Sequence, residues 1–257
     1  MIALPPELLG QIGQNLWHLF AVFLRVSAFV SLLPAFGERS IPVRVKLGIS
    51  IAFTLIILPA VRPPDLAPGF LPMVRLVGTE VLVGMVLGIG LRLFVLALQT
   101  AGAIAAQSTS LSQLLGGAAA DPLPAMGYFL MLAGLTLAVI LGLHVRAAQF
   151  LIQSYAMFPM GSLPAPSDLS RWGVDQISSS FKLAFALAAP FVIASLIYNL
   201  ALGVINRAMP QLMVAFVGAP AITFAGLFLL FAGAPLILSV WSDALNGFLI
   251  NPAGGTP

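Results

Sequence analysis

Long apolar runs, separated by short polar breaks that carry proline, dominate the chain. Residues 16–36 form the first run, interrupted by His18 and Arg25. A polar turn follows over residues 37–46. The second run, residues 47–61, stops at Arg62-Pro63-Pro64-Asp65, where proline removes the donors a helix needs. The third run, residues 76–106, would be roughly 46 Å long as a helix at about 1.5 Å per residue. The hydrocarbon core is only about 30 Å thick. Such a helix must tilt, break or project beyond the bilayer. A fourth run covers 128–158, and its second half is amphipathic. Arg146, Gln149 and Gln153 fall at i, i+3 and i+7 on one face. A polar connection over 159–176 precedes a fifth run, 181–205, with Pro190 inside. The turn Asn206-Arg207-Ala208-Met209-Pro210-Gln211 leads to a last run, 212–241. Pro220 and Pro235 there predict kinks or a helical hairpin. The tail, residues 251–257, reads as disordered.

These runs are apolar on all sides, as over 49–60 and 224–231. A barrel strand would alternate every second position. The pattern therefore predicts an all-α polytopic membrane protein with room for about six spans. Composition agrees. Hydrophobic residues make up 60% of the 257 positions and charged ones 7%, with a mean hydropathy of +1.07. A soluble domain carries about 25% charged residues, so soluble, collagen-like and disordered classes are excluded. Residues 1–15 carry no Lys or Arg, and no signal peptide is expected there.

Residues 107–126 differ from everything around them. Small residues dominate, Gly116 and Gly117 are paired, Pro122 and Pro124 end the stretch, and Asp121 is its single charge. It is too apolar for an ordinary surface loop and too broken for a helix. Such backbone survives at membrane depth only under cover of protein or beside a watery cavity.

Charge removes further classes. The net charge of +3 is spread without a basic run, so nucleic acid is not an expected partner. With no cysteine, disulfides, thiolate catalysis and cysteine-bound metal are excluded. His18 and His144 lie far apart without acidic neighbours, and no nucleotide or hydrolase signature is present. The chain is read as a non-enzyme without cofactor or metal. Counting six spans, Arg39, Arg44, Lys46 and Arg207 fall on one side, and Arg62, Arg75, Arg171 and Lys182 on the other. The positive-inside rule needs an imbalance, so either the span count is wrong or the helices do not thread a bilayer in the ordinary way. Arg25, Glu80, Arg92 and Arg146 interrupt apolar runs. They snorkel, pair with another helix, line a polar conduit, or face sister chains rather than lipid. The last reading fits the balanced charges best. Gly84 and Gly88 form a GxxxG, which predicts close helix packing.

One stretch carries a more specific pattern. Asn199-Leu200-Ala201-Leu202-Gly203-Val204-Ile205-Asn206-Arg207-Ala208-Met209-Pro210-Gln211-Leu212, continued by Phe216-Val217-Gly218-Ala219-Pro220, closely resembles the signature of the FliR family. These are export-gate subunits of type III secretion systems. Arg25, Pro34, Gly37, Arg39, Pro42 and Lys46 resemble the family's first helix and following turn. Glu80, Gly84, Gly88, Gln99-Thr100-Ala101-Gly102 and Gln107 resemble its third helix, and Asp121-Pro122 its loop. His144 and Pro159-Met160-Gly161 recur at similar places. The resemblance covers nearly the whole chain, read as one export-gate domain over residues 1–257.

The resemblance implies kinked helices and helical hairpins that assemble with P-type and Q-type subunits into a helical hetero-oligomeric pore. Other membrane proteins of the type III export apparatus and unfolded export substrates are further implied partners. It implies a bacterial inner-membrane location at the flagellar basal body. The loop over residues 107–126 maps onto a pore plug, with Gln107, Leu111, Leu114, Leu115, Gly116, Gly117, Asp121 and Pro122 as its residues. Asn206, Arg207, Pro210, Gln211, Pro220, Arg39, Pro42 and Lys46 are assigned to structural turns and assembly. Flagellar service is favoured over a virulence injectisome. A stand-alone small transporter or channel is the alternative from another class.

Overall fold

The computed structural model describes residues 6–63, 69–110, 125–209 and 214–252. Among the described residues seven α-helices follow one another: α1 (Pro6–Leu32), α2 (Val43–Ile57), α3 (Phe70–Ser110), α4 (Ala125–Ile140), α5 (Leu143–Met157), α6 (Pro166–Ala208) and α7 (Val214–Ile250). A 3-10 turn, Leu58–Ala60, ends α2. No strand occurs among the described residues. Among the described residues five helices are long and apolar enough to cross a membrane, and a sixth span arises if the broken pair α4 and α5 counts as one. The protein is an all-α polytopic membrane protein.

Helix lengths exceed the bilayer. α3 has 41 residues and α6 has 43. At about 1.5 Å per residue each is more than 60 Å long, twice the hydrocarbon thickness of about 30 Å.

Several boundaries differ from the pattern-based reading. The polar turn is shorter than 37–46, because α2 already begins at Val43 behind Pro42. Pro42 has the extended ψ of 143° that suits a residue just outside a helix, and its carbonyl accepts from Val45 and Lys46. The run 128–158 is two helices, not one. They part at Gly142, whose φ of +80° favours glycine. α6 starts at Pro166, deep inside the supposed connection 159–176. Proline suits the first helical position, and Asp168 in the first turn faces the positive end of the helix dipole. α7 runs through both Pro220 and Pro235 without turning back, so the hairpin expected there is absent. Asn251 and Pro252 are described, and the Pro252 carbonyl accepts a hydrogen bond from Trp172 Nε1 at 2.8 Å. Disorder of the tail is thus not correct for its first two residues, while 253–257 lie outside the described residues.

The chain divides into two compact units. The first comprises Met1–Arg92, Val139–Val174 and Phe248–Pro257, and the second Leu93–Ala138 and Asp175–Gly247. In the first unit α1 and α2 form an antiparallel hairpin. The start of α3 lies along α1 at Gly84 and Gly88. A Cβ on Gly84 would run into the Arg25 carbonyl and reach 2.9 Å from Ala28 Cβ, and one on Gly88 would reach 2.8 Å from Leu32 Cβ. The GxxxG therefore does pack helix against helix. α5 lies on the same core through Phe150, whose ring centroid is 6.0 Å from that of Phe29 and 5.7 Å from that of Phe248. Its amphipathic reading holds. Leu143, Ala147, Phe150, Leu151 and Ser154 are buried while Gln149 and Gln153 are exposed.

In the second unit the core gathers around Trp241, which has no exposed surface. Its ring lies 3.5 Å from where a Cβ on Gly134 would be, and its Nε1 donates to the Phe94 carbonyl at 2.8 Å. Ser180 of α6 donates to the next carbonyl back, Leu93, at 2.9 Å.

Candidate functional site

The end of α3 and the start of α4 form the antiparallel arms of a hairpin whose connection is residues 111–124. Gly102 and Gly127 are the crossing point. A Cβ on Gly102 would overlap the Gly127 backbone, and one on Gly127 would sit 2.9 Å from the Gln99 carbonyl oxygen. Gln99 also donates to Met131 Sδ, and Leu98 packs on Gly134. Partners therefore step backwards along α4 as they step forwards along α3. Only small residues allow backbones to approach this closely. The sequence reading singled out Gly102 and missed Gly127, since no spacing rule links glycines on separate helices.

Gln107 is helical and exposed in the last turns of α3. Residues 107–110 and 125–126 are also helical. The stretch 107–126 is thus not broken throughout, because its ends continue the flanking helices. Leu111, Leu114, Leu115, Gly116, Gly117, Asp121 and Pro122 lie outside the described residues.

The second predicted cluster sits at two turns. Asn206 and Arg207 are exposed in the last turn of α6, where a cation complements the helix dipole. Pro210 and Gln211 lie outside the described residues, and Pro220 falls within α7. Close to this turn, Tyr198 Oη donates to the Gly218 carbonyl at 2.5 Å and ties α6 to α7. At the other turn Arg39 and Pro42 are exposed, and Lys46 Nζ donates to the Gly37 carbonyl at 2.9 Å. Beside it Glu38 accepts from Arg92 at 2.6 and 3.2 Å.

The strongest electrostatic feature of the first unit unites residues far apart in sequence. Arg25 of α1 and Glu80 of α3 are both fully buried. Arg25 Nε donates to Glu80 Oε2 at 2.8 Å, and Nη2 to Oε1 at 3.1 Å. Nη2 also donates to the Phe158 carbonyl at 2.8 Å, and Nη1 to Ser154 Oγ at 3.2 Å. The Gly161 amide, at φ +72°, donates to Glu80 Oε1 at 3.1 Å. The Tyr155 ring covers the guanidinium, its centroid 3.8 Å from Cζ. Two charges in a low-dielectric core are tolerable only with such complete pairing.

This centre corrects one expectation and upholds another. Arg25 and Arg92 find carboxylates on their own chain, so they do not depend on sister chains to satisfy their charge. The reading of an ion pair with another helix holds for Arg25 and Glu80, whereas Arg92 pairs with Glu38 of the turn between α1 and α2. Ser154, Tyr155 and Gly161 were missed as parts of it. The available signal was that Glu80 is the only acid inside any of the apolar runs.

Over-long apolar helices, helical hairpins and a buried Arg25–Glu80 pair neutralised within the fold define a polytopic membrane protein. Comparison then gives the family. A profile described as "Bacterial export proteins, family 1" matches residues 16–248, and the chain belongs to that family, the FliR family of the resemblance. It is 35% identical over 233 residues to the flagellar biosynthetic protein FliR of Caulobacter vibrioides, covering 89% of this chain and 92% of that protein. Against the flagellar biosynthetic protein FliR of Escherichia coli K12 the identity is 30% over 220 residues, covering 85% and 84%. With the flagellar biosynthetic protein FliR of Bacillus subtilis it is 28% over 209 residues, covering 77% and 79%.

Proposed function

We propose that the chain is a non-enzymatic subunit of the flagellar type III export gate in the bacterial inner membrane, associated with the basal body. In this reading it lines part of a protein-conducting pore together with P-type and Q-type subunits, and residues 107–126 plug that pore when no substrate is passing. The flagellar assignment is supported by relatives that are named as flagellar biosynthetic proteins. The plug reading rests on one observation, the tight α3–α4 hairpin at Gly102 and Gly127. It packs the helices that flank the connecting segment against each other, with α3 continuing to Ser110 beyond the crossing.

The chemistry of that segment suits a seal. Small residues and glycine let a segment pack densely and yet offer each passing side chain little to hold. Its one charge, Asp121, avoids trapping an unfolded chain of either sign. Energy comes from other members of the apparatus, through the proton-motive force. Asn206, Arg207, Pro210 and Gln211, with Arg39, Pro42 and Lys46, serve the turns, and Pro220 the helix α7, that assembly with neighbours requires.

The chain has no cysteine, so a single probe can be placed cleanly. Leu115→Cys or Ala119→Cys should crosslink to an export substrate stalled in transit. No crosslink at either position, while other pore positions do react, would remove the plug role. Purification from native membranes separates the gate from a stand-alone transporter. Recovery with P-like and Q-like proteins supports the gate, and an isolated oligomer with its own solute flux contradicts it.

A further inference from the structure

We propose that the α1–α2 groove is a binding site for an anionic phospholipid, with an acyl chain between the helices and the headgroup phosphate at Arg44. The groove has a volume of about 240 Å³ and is lined by Leu19, Phe20 and Phe23 of α1 and by Ile51 and Leu55 of α2. It is open at the side, because Phe20, Ile51 and Leu55 are 40%, 46% and 58% exposed. Its walls are almost wholly apolar and it lies on two helices that qualify as membrane spans.

A basic end continues the same face. Arg44, Gly48, Ile51 and Leu55 stand at i, i+4, i+7 and i+11 on α2, one stripe of the helix. A Cβ on Gly48 would meet nothing within 4 Å, so no wall closes the groove between Ile51 and Arg44. Seven residues of helix place Arg44 about 10 Å beyond Ile51. That is the step from the upper acyl chain to the phosphate, since the headgroup layer adds about 5–8 Å to each side of the hydrocarbon core.

The charges at this end are available to a ligand. Glu38, the acid of the turn, is held by Arg92 in a bidentate pair. Lys46 is turned to the Gly37 carbonyl. Arg39 and Arg44 are exposed, and among the described residues neither has an ion-pair partner. An apolar cleft ending at unpaired guanidinium groups complements an amphiphile with a negative head. A partner helix would match the apolar walls but leave the arginines without anions. The inference is independent of the plug.

The test uses the full chain with its co-purifying proteins, reconstituted in phosphatidylcholine vesicles. These carry either phosphatidylglycerol or phosphatidylcholine with a photoactivatable acyl chain. Phosphatidylglycerol should label peptides of α1 and α2 severalfold more than phosphatidylcholine does. Arg44→Gln should reduce that labelling about fivefold, the worth of one basic residue at an anionic surface, and Arg44→Lys should retain it. Equal labelling by both lipids, or no change in Arg44→Gln, would reduce the groove to ordinary lipid contact. Absence of labelling by either lipid would mean that protein covers the groove. Each of these results overturns the proposal.

Discussion

A guanidinium without exposed surface has to find all of its partners inside the fold. Arg25 does so through Glu80, Ser154, the Phe158 carbonyl and the face of Tyr155. Removing one charge strands the other. Glu80→Gln or Arg25→Met should each destabilise the protein by about 3–5 kcal/mol. The double variant Arg25→Met/Glu80→Met should lose clearly less than the sum, read as thermal unfolding in detergent. Strict additivity would show that the pair does not act as a unit. The closest backbone crossing gives a second prediction. Gly102→Ala drives a methyl into the Gly127 backbone and should cost about 1–3 kcal/mol. Gly203→Ala, where a Cβ meets nothing within 4 Å, serves as the control and should be neutral or slightly stabilising, because alanine favours a helix. Equal stability of the two variants would contradict the tight crossing.

At the scale of elements, hydropathy located the membrane runs but not the ends of the helices. Hydropathy reports which residues shun water, and a helix that continues beyond the bilayer turns polar without ending. This is why α6 was placed too late, although Pro166 and Asp168 already carried the signals of a helix start. The break at Gly142 was invisible for the opposite reason. Apolar residues continue on both sides, and only the backbone dihedral changes. Pro220 and Pro235 misled in the direction of a hairpin. Proline removes one hydrogen bond from a helix, and neighbouring helices can hold the path. The charge centre was half legible: Arg25 and Glu80 stood out, but their pairing across 55 residues needs the fold. Spin labels on Phe224→Cys and Asp243→Cys test the continuity of α7. Nineteen helical residues separate the labelled backbones by about 28 Å. A hairpin at the prolines would bring them to roughly 10 Å, the spacing of packed helices, and that result would refute a continuous α7.

At the scale of the whole molecule, membership of the export family joins these parts to a task. In the proposed reading the chain is a subunit of a protein channel, which has to let an unfolded chain through and yet hold back ions. Helices that neutralise their own buried charges supply a stable frame. In the proposed reading, a small-residue hairpin supplies the base from which residues 107–126 close the passage. The most direct measurement is ionic conductance across membranes that contain the assembled gate with residues 116–120 deleted. Complex yield should match the unaltered chain, and the membranes should leak ions in the absence of any export substrate. An assembled gate that stays as tight as before would contradict the sealing role.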